Sequence, residues 1–232
     1  MASKKTNFIH MKTSNIIFLS VAILIFISLT SLSLRARYNL KNKIEETTVT
    51  NHHDYTDFSR INSNGNISLK ISKAKTFSIK SEASEQNLLE TLKFSQTRNQ
   101  LDIHYSNDKK IHLEIELPSL EFLQLKNQSK ASIIAFEGDK MELVADGRYL
   151  SLSENKITNM IIAATEDALI TCNENVFNQL NLDLNNSSKL TFKNGTITTV
   201  NGDIKDTAHV FISCSGAKIN LNIEEKASFR KK

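Results

Sequence analysis

Apolar residues in the second half of this 232-residue chain return in a pattern about nineteen positions long. Within each repeat they fall at relative positions 0, 2 and 4 and, after a polar turn, near 8, 10 and 12. The repeats start at Leu123, Met141, Met160, Leu180, Val200 and Ile219, in steps of 18, 19, 20, 20 and 19. The clearest copy runs Leu180, Leu182, Leu184, then Ser188, Leu190, Phe192; its successor runs Val200, Gly202, Ile204, then Ala208, Val210, Ile212. A further column lies three residues ahead of each start: Leu120, Gly138, Ile157, Phe177, Ile197 and Gly216.

Alternation at period two is the mark of strands with one buried face. Two short strands per repeat, divided by turns such as Asn185-Asn186-Ser187 and Lys193-Asn194-Gly195, cannot bury that face alone. Stacked repeats can, with equivalent side chains about 4.8 Å apart from coil to coil. The rival is a leucine-rich repeat, whose template Phe177-x-x-Leu180-x-Leu182-x-x-Asn185 fits. Its return segment is usually helical, whereas Lys189-Leu190-Thr191-Phe192 alternates like a strand. The expected fold is therefore all-β: a single-stranded parallel β-helix, or β-solenoid, over 119–232. Residues 56–118 read as its β-rich N-terminal cap. In them Leu101-x-Ile103-x-Tyr105 and Ile111-x-Leu113-x-Ile115-x-Leu117 flank a polar turn and predict a hairpin, and Ser84 is placed to cap a short helix.

Ahead of the cap, the 22 residues from Thr13 to Leu34 carry no charge. As a helix they reach about 33 Å, enough for a hydrocarbon core of about 30 Å. Residues 1–12 form a basic N-terminal segment, and basic residues also follow the run, so charge does not fix its orientation. The run reads as an uncleaved transmembrane anchor or as a signal peptide cleaved near Ser31-Leu32-Ser33. No cysteine follows it, which excludes a lipoprotein anchor. Either reading places the C-terminal domain outside the cytoplasm, in the cell envelope or secreted, with 35–55 as a polar tether. The formal charge of +4 comes from this end: residues 1–50 hold seven Lys/Arg against two acids, and residues 51–232 hold 22 against 23. A near-neutral body offers no footprint for nucleic acid.

Several segments in order, Phe58-Ser-Arg-Ile61, Gly65-Asn-Ile67-Ser-Leu69-Lys-Ile71, Asn87-Leu-Leu89, Asn99-Gln-Leu101-Asp-Ile103 and Leu117-Pro118-Ser-Leu120-Glu-Phe-Leu123, resemble the putative auto-transporter adhesin, head GIN domain family, over roughly residues 57–228. The resemblance implies a bacterial cell-envelope protein with a β-helical fold and no established catalytic residue. Family members often carry Gly-Ser-Gly-like turns; here Asn, Lys, Asp and Glu stand in them.

Outward positions of the last three repeats form the main candidate face: Asn181, Asp183, Asn185; Asn201, Asp203, Lys205; and Asn220, Asn222, Glu224. Stacking sets Asp183 about 4.8 Å from Asp203. Carboxylates that close need a cation or hydrogen bonds between them. The face could hold a glycan, a weakly bound calcium ion or an acid pair, or could be a solvated strand face with amide ladders. In the expected hairpin, His104 opposes His112 and Asp102 opposes Glu114, a weak metal-site candidate. Cys172 and Cys214, two coils and about 9.6 Å apart by stacking, are too far for a disulfide. No nucleophile-elbow, zincin, paired-cysteine or phosphate-loop motif occurs. These readings favour a non-catalytic surface module for extended glycans or envelope proteins, with no cofactor. The alternatives are a polysaccharide lyase or hydrolase using Asp183 and Asp203, and an envelope scaffold built by solenoid stacking.

Overall fold

The structure, a computed structural model, describes residues 48–146 and 148–232. The basic segment 1–12, the apolar run 13–34 and the tether as far as residue 47 lie outside the described residues.

Among the described residues, nineteen strands form two sheets that face one another across a single core. One sheet contains β2 (Arg60–Asn64), β5 (Leu92–Thr97), β6 (Gln100–Tyr105), β8 (Phe122–Lys126), β10 (Glu137–Asp146), β12 (Lys156–Thr165), β14 (Val176–Leu184), β16 (Thr196–Ile204) and β18 (Lys218–Ile223). The other contains β1 (Val49–His53), β3 (Ile67–Lys73), β4 (Ser78–Ala83), β7 (Ile111–Leu117), β9 (Lys130–Ile134), β11 (Tyr149–Ser153), β13 (Leu169–Asn173), β15 (Lys189–Lys193), β17 (His209–Ile212) and β19 (Ser228–Lys231). From β8 onward the chain alternates between the sheets and advances one strand per circuit, a β-solenoid of about five turns.

The repeat columns become vertical neighbours. Met141, Met160, Leu180, Val200 and Ile219 are in register, and so are Gly138, Ile157, Phe177 and Ile197. Leu182 stands over Gly202, and Leu150 over Ile170. One step differs: Leu123 pairs with Leu143, not Met141, so the step from β8 to β10 is 20 residues, like the later ones, and not 18. Inward residues such as Ile162, Leu180, Leu190 and Phe192 are almost wholly buried. Each contributes roughly 1.5–3 kcal/mol of hydrophobic stabilisation. Phe177 and Phe192 close the space between the sheets with ring centroids 5.8 Å apart.

Sharp corners link the strands. Ala135, Glu154, Glu174 and Asn194 turn one corner of successive coils, and Asn127, Glu166, Asn186 and Asp206 turn another, all with positive φ. Glycine is the residue this conformation favours. Asn and Asp tolerate it by bonding locally, while Ala135 and the glutamates carry its full strain.

The N-terminal region is wound differently from the expected cap. β2 and β3 form a coil of their own, stacked directly on β8 and β9. The coil made by β6 and β7 stacks on the other side of it. The chain therefore winds one coil, places the next outside it, and returns over Pro118–Glu121 to begin the regular repeats. β5 then covers β6 as an antiparallel edge strand and β4 covers β7 antiparallel, the two joined by the short helix α1 (Gln86–Glu90). The helix N-cap is Glu85, not Ser84, with no side-chain cap. Antiparallel closure ends the stack on this side and protects its strand edges.

The expected hairpin is absent, since β6 and β7 lie in opposite sheets. Leu101, Ile103 and Tyr105 face Ile111, Leu113 and Ile115 across the core, all buried. Alternation in sequence is the same for a hairpin and for a coil; only the partners differ.

Residues 49–53 also depart from the tether reading. They pair antiparallel with β4, from Val49 opposite Ala83 to His53 opposite Ile79. His53 Nε2 lies 2.8 Å from Ser81 Oγ, and its ring is 4.4 Å from that of Phe94. Burial first, and then the charge of His52, push its pKa below the ordinary 6.5, against an opposing pull from Asp54. The folded state thus favours neutral imidazole. That contribution is complete above 6.5 and is lost as pH falls from there through the folded value. Thermal melts on acidification below 6.5 should show a steeper loss of stability in the wild type than in His53→Gln.

Candidate functional site

The outward positions of β14, β16 and β18 come together as the repeat predicts. Asn181, Asn201 and Asn220 form one column, and Asp183, Asp203 and Asn222 the next. The amides bond along the stack: Asn220 Nδ2 donates to Asn201 Oδ1 at 3.0 Å, and Asn201 Nδ2 to Asn181 Oδ1 at 3.2 Å. Asn181 Nδ2 continues the chain to Asn159 Oδ1 at 2.6 Å. In the acidic column, Asn222 Nδ2 donates to Asp203 Oδ1 at 3.2 Å. Asp183 Oδ1 receives Asn185 Nδ2 and Lys205 Nζ, each at 3.3 Å. Glu224 Oε2 accepts the Asp206 amide at 2.9 Å. The cation that the paired carboxylates call for is Lys205, whose ammonium Asp183 holds above the ordinary lysine value.

This face is therefore largely self-satisfied, most of its side chains bonding a neighbour in the adjacent coil. Its carboxylates stand on an open strand surface. On β10 and β12 the equivalent positions are Glu142 and Val144, then Ile161 and Ala163, so β12 is apolar there and the continuous Asn and Asp columns begin at β14.

The metal candidates are not assembled. His104 and Asp102 lie on β6, His112 and Glu114 on β7, in different sheets. Asp102 Oδ1 instead accepts Asn62 Nδ2 at 2.7 Å, and Glu114 pairs with Lys70 at 3.1 Å. Among the described residues no three His, Cys, Asp or Glu side chains are placed to hold a metal ion.

Cys172 and Cys214 are free and buried. Cys172 packs on the inner face of β13 in register with Phe192, and burial pushes its thiol pKa up to about 12. A thiol with so little thiolate is a poor nucleophile. In the folded protein, peptide mapping after alkylation should find Cys172 unmodified, and denaturant should make it react fully.

Two features escape the repeat analysis. Asn155 and Asn175 are fully buried at a corner, where the repeated Glu-Asn of Ser153-Glu154-Asn155 and Asn173-Glu174-Asn175 marks them in sequence. Gly138 stands in the column of Ile157, Phe177 and Ile197 without a side chain. The gap leaves an open hollow of about 360 Å³, with Leu120 and Phe136 beneath a rim that includes Arg60, Glu121 and Lys140.

The family model described as "Putative auto-transporter adhesin, head GIN domain" matches residues 57–213. The chain belongs to this family. Solved structures show the same fold. A putative adhesin from Bacteroides fragilis NCTC 9343 is 11% identical, with a TM-score of 0.63 over 80% of this chain and 97% of the other. A putative lipid binding protein from Parabacteroides distasonis ATCC 8503 is 13% identical, with a TM-score of 0.60 over 80% and 96%. A putative adhesin from the same organism is 13% identical, with a TM-score of 0.55 over 81% and 95%. No curated protein matches the chain. The adhesin-head family is described by surface attachment, not by an enzymatic reaction, and that description points to the cell surface or envelope.

Proposed function

We propose that this adhesin-head protein is a non-catalytic binding module of the cell envelope, tethered through residues 13–34 and holding extended glycans or another envelope protein against its outer sheet faces. The observation that carries the reading is the filled core. Ile, Leu and Phe side chains occupy the space between the sheets throughout, so ligand contact falls to the outer faces. Flat faces with side chains repeated about every 4.8 Å suit a polymer that repeats as well. Many weak contacts add up along such a polymer without deep burial.

The lyase or hydrolase reading has less behind it. Asp183 and Asp203 are adjacent, but Asp183 is already engaged by Lys205 and Asn185 on an open surface. A lipid ligand has one specific support, the description of the Parabacteroides structure as a putative lipid binding protein. The test is retention of the full-length chain on a glycan panel, assayed beside lipid vesicles and for glycan cleavage. Retention without cleavage is the expected result; cleavage abolished in Asp183→Asn/Asp203→Asn would establish the enzyme instead.

A further inference from the structure

Over β8 to β19 the two outer faces differ in charge. The strands β9, β11, β13, β15, β17 and β19 contain five Lys or Arg and no acid. Their partners across the core, β8 to β18, contain six acids against four lysines. On the six acid-free strands one column reads Lys130, Tyr149, Leu169, Lys189. Beside it runs a hydroxyl column, Ser132, Ser151, Thr171 and Thr191.

The two apolar members of the first column are exposed, Tyr149 at 38% and Leu169 at 42%. Tyr149 Oη lies 3.0 Å from Thr171 Oγ1, one coil on and two residues along. That bond draws the phenol ring down over the sheet, where its face offers a stacking platform. Lys130 and Lys189, three coils apart, place positive charge about 14 Å apart on either side of it. Acids stand at the corners that border this face, Glu154 and Glu174 at one margin, Glu166 and Asp206 at the other.

We infer that this face binds an acidic polysaccharide laid along the solenoid axis. Sugar rings stack on Tyr149 and Leu169, carboxylate or sulfate groups reach Lys130 and Lys189, and sugar hydroxyls bond to the Ser/Thr column. The acidic margins repel a polyanion from the sides and leave the long axis as its path. A flat, hydroxyl-rich surface with the Tyr149 ring held down fits a polymer better than a bilayer, which rewards protruding apolar groups. The inference rests on the glycan-binding reading above and names the face and the ligand class.

The test is binding of the full-length chain to immobilised polygalacturonate, with uncharged dextran and anionic phosphatidylserine vesicles as comparisons, at physiological ionic strength. Lys130, Lys189 and Tyr149 are surface residues, so matching thermal melts will show that the variants fold. Lys130→Gln/Lys189→Gln should bind polygalacturonate roughly tenfold more weakly, and added salt should weaken the wild type by a similar factor. Tyr149→Ala should lose several-fold even at high salt, because stacking is not screened. Unchanged binding in all variants, or equal retention on dextran, overturns the inference and leaves the glycan reading standing. Binding to vesicles in preference to both glycans overturns the inference in favour of a membrane. Absence of retention on polygalacturonate overturns the inference, and absence from the whole glycan panel removes the glycan reading with it.

Discussion

Replacing Asn175 with leucine should destabilise the solenoid by about 3–5 kcal/mol, although the two side chains share branching and number of heavy atoms. Asn175 Oδ1 accepts the backbone amide of Asn155 at 3.0 Å and its side-chain Nδ2 at 2.9 Å. Asn175 Nδ2 donates to the carbonyls of Leu152 and Asn173, at 2.9 and 3.0 Å. Asn155 repeats the device one coil earlier, receiving Phe136 N and donating to Ile133 O. The corner leaves these backbone groups without strand partners, and the two amides supply them through the core. Leucine would leave several buried donors and acceptors unpaired, each costing about 1–3 kcal/mol. Chemical denaturation measures the effect. Asn173→Ala, two residues earlier at the exposed end of β13, should stay within about 0.5 kcal/mol of the wild type.

Gly202→Val should cost a similar amount but act locally. Gly202 has φ +125°, and a Cβ built there would lie 1.9 Å from the carbonyl oxygen of Leu182 and 2.8 Å from its carbonyl carbon and nitrogen. All three are backbone atoms of the preceding coil, so the clash forces β16 away from β14. The expected loss is about 3–5 kcal/mol, from strain at a left-handed position plus the broken stack. Each coil of a solenoid contacts only its neighbours. Hydrogen exchange should therefore accelerate across β16 to β19 while β3 and β7, in the capped end, keep their protection. Uniform loss of protection would mean that the stack melts as one unit.

The sequence carried the regular part of this fold almost without loss. Leu180 over Val200, Leu182 over Gly202 and Asp183 over Asp203 follow from counting, because the period of two sets the face and the period near twenty sets the neighbour. Counting failed where partners are not the next repeat. Arg60–Lys73 has the same alternation as a coil and is one, but its neighbours arrive some forty and sixty residues later, which no local pattern records. Ser106–Lys110 looked like a hairpin turn and is a passage between sheets, so His104 and His112 part company.

The candidate face was legible in its placement and not in its chemistry. Strand alternation shows that Asn181, Asn201 and Asn220 stack, but not that their amides are consumed by one another. The opposite face was equally present in Tyr149-Leu-Ser, Leu169-Ile-Thr and Lys189-Leu-Thr. Its character depends on the absence of acids over six strands, a property that emerges only when those strands lie side by side.

In-register winding underlies every face described, and engineered cross-linking tests it directly. In a Cys172→Ala/Cys214→Ala background, cysteines at Thr171 and Thr191 occupy adjacent outward positions, about 4.8 Å apart and within disulfide range. Cysteines at Thr171 and Phe211 share the face but stand two coils, about 9.6 Å, apart. Mild oxidation should close an intramolecular disulfide in the first variant and leave the second reduced. Equal cross-linking in both, or closure only between Thr171 and Phe211 positions, would contradict the stacking order.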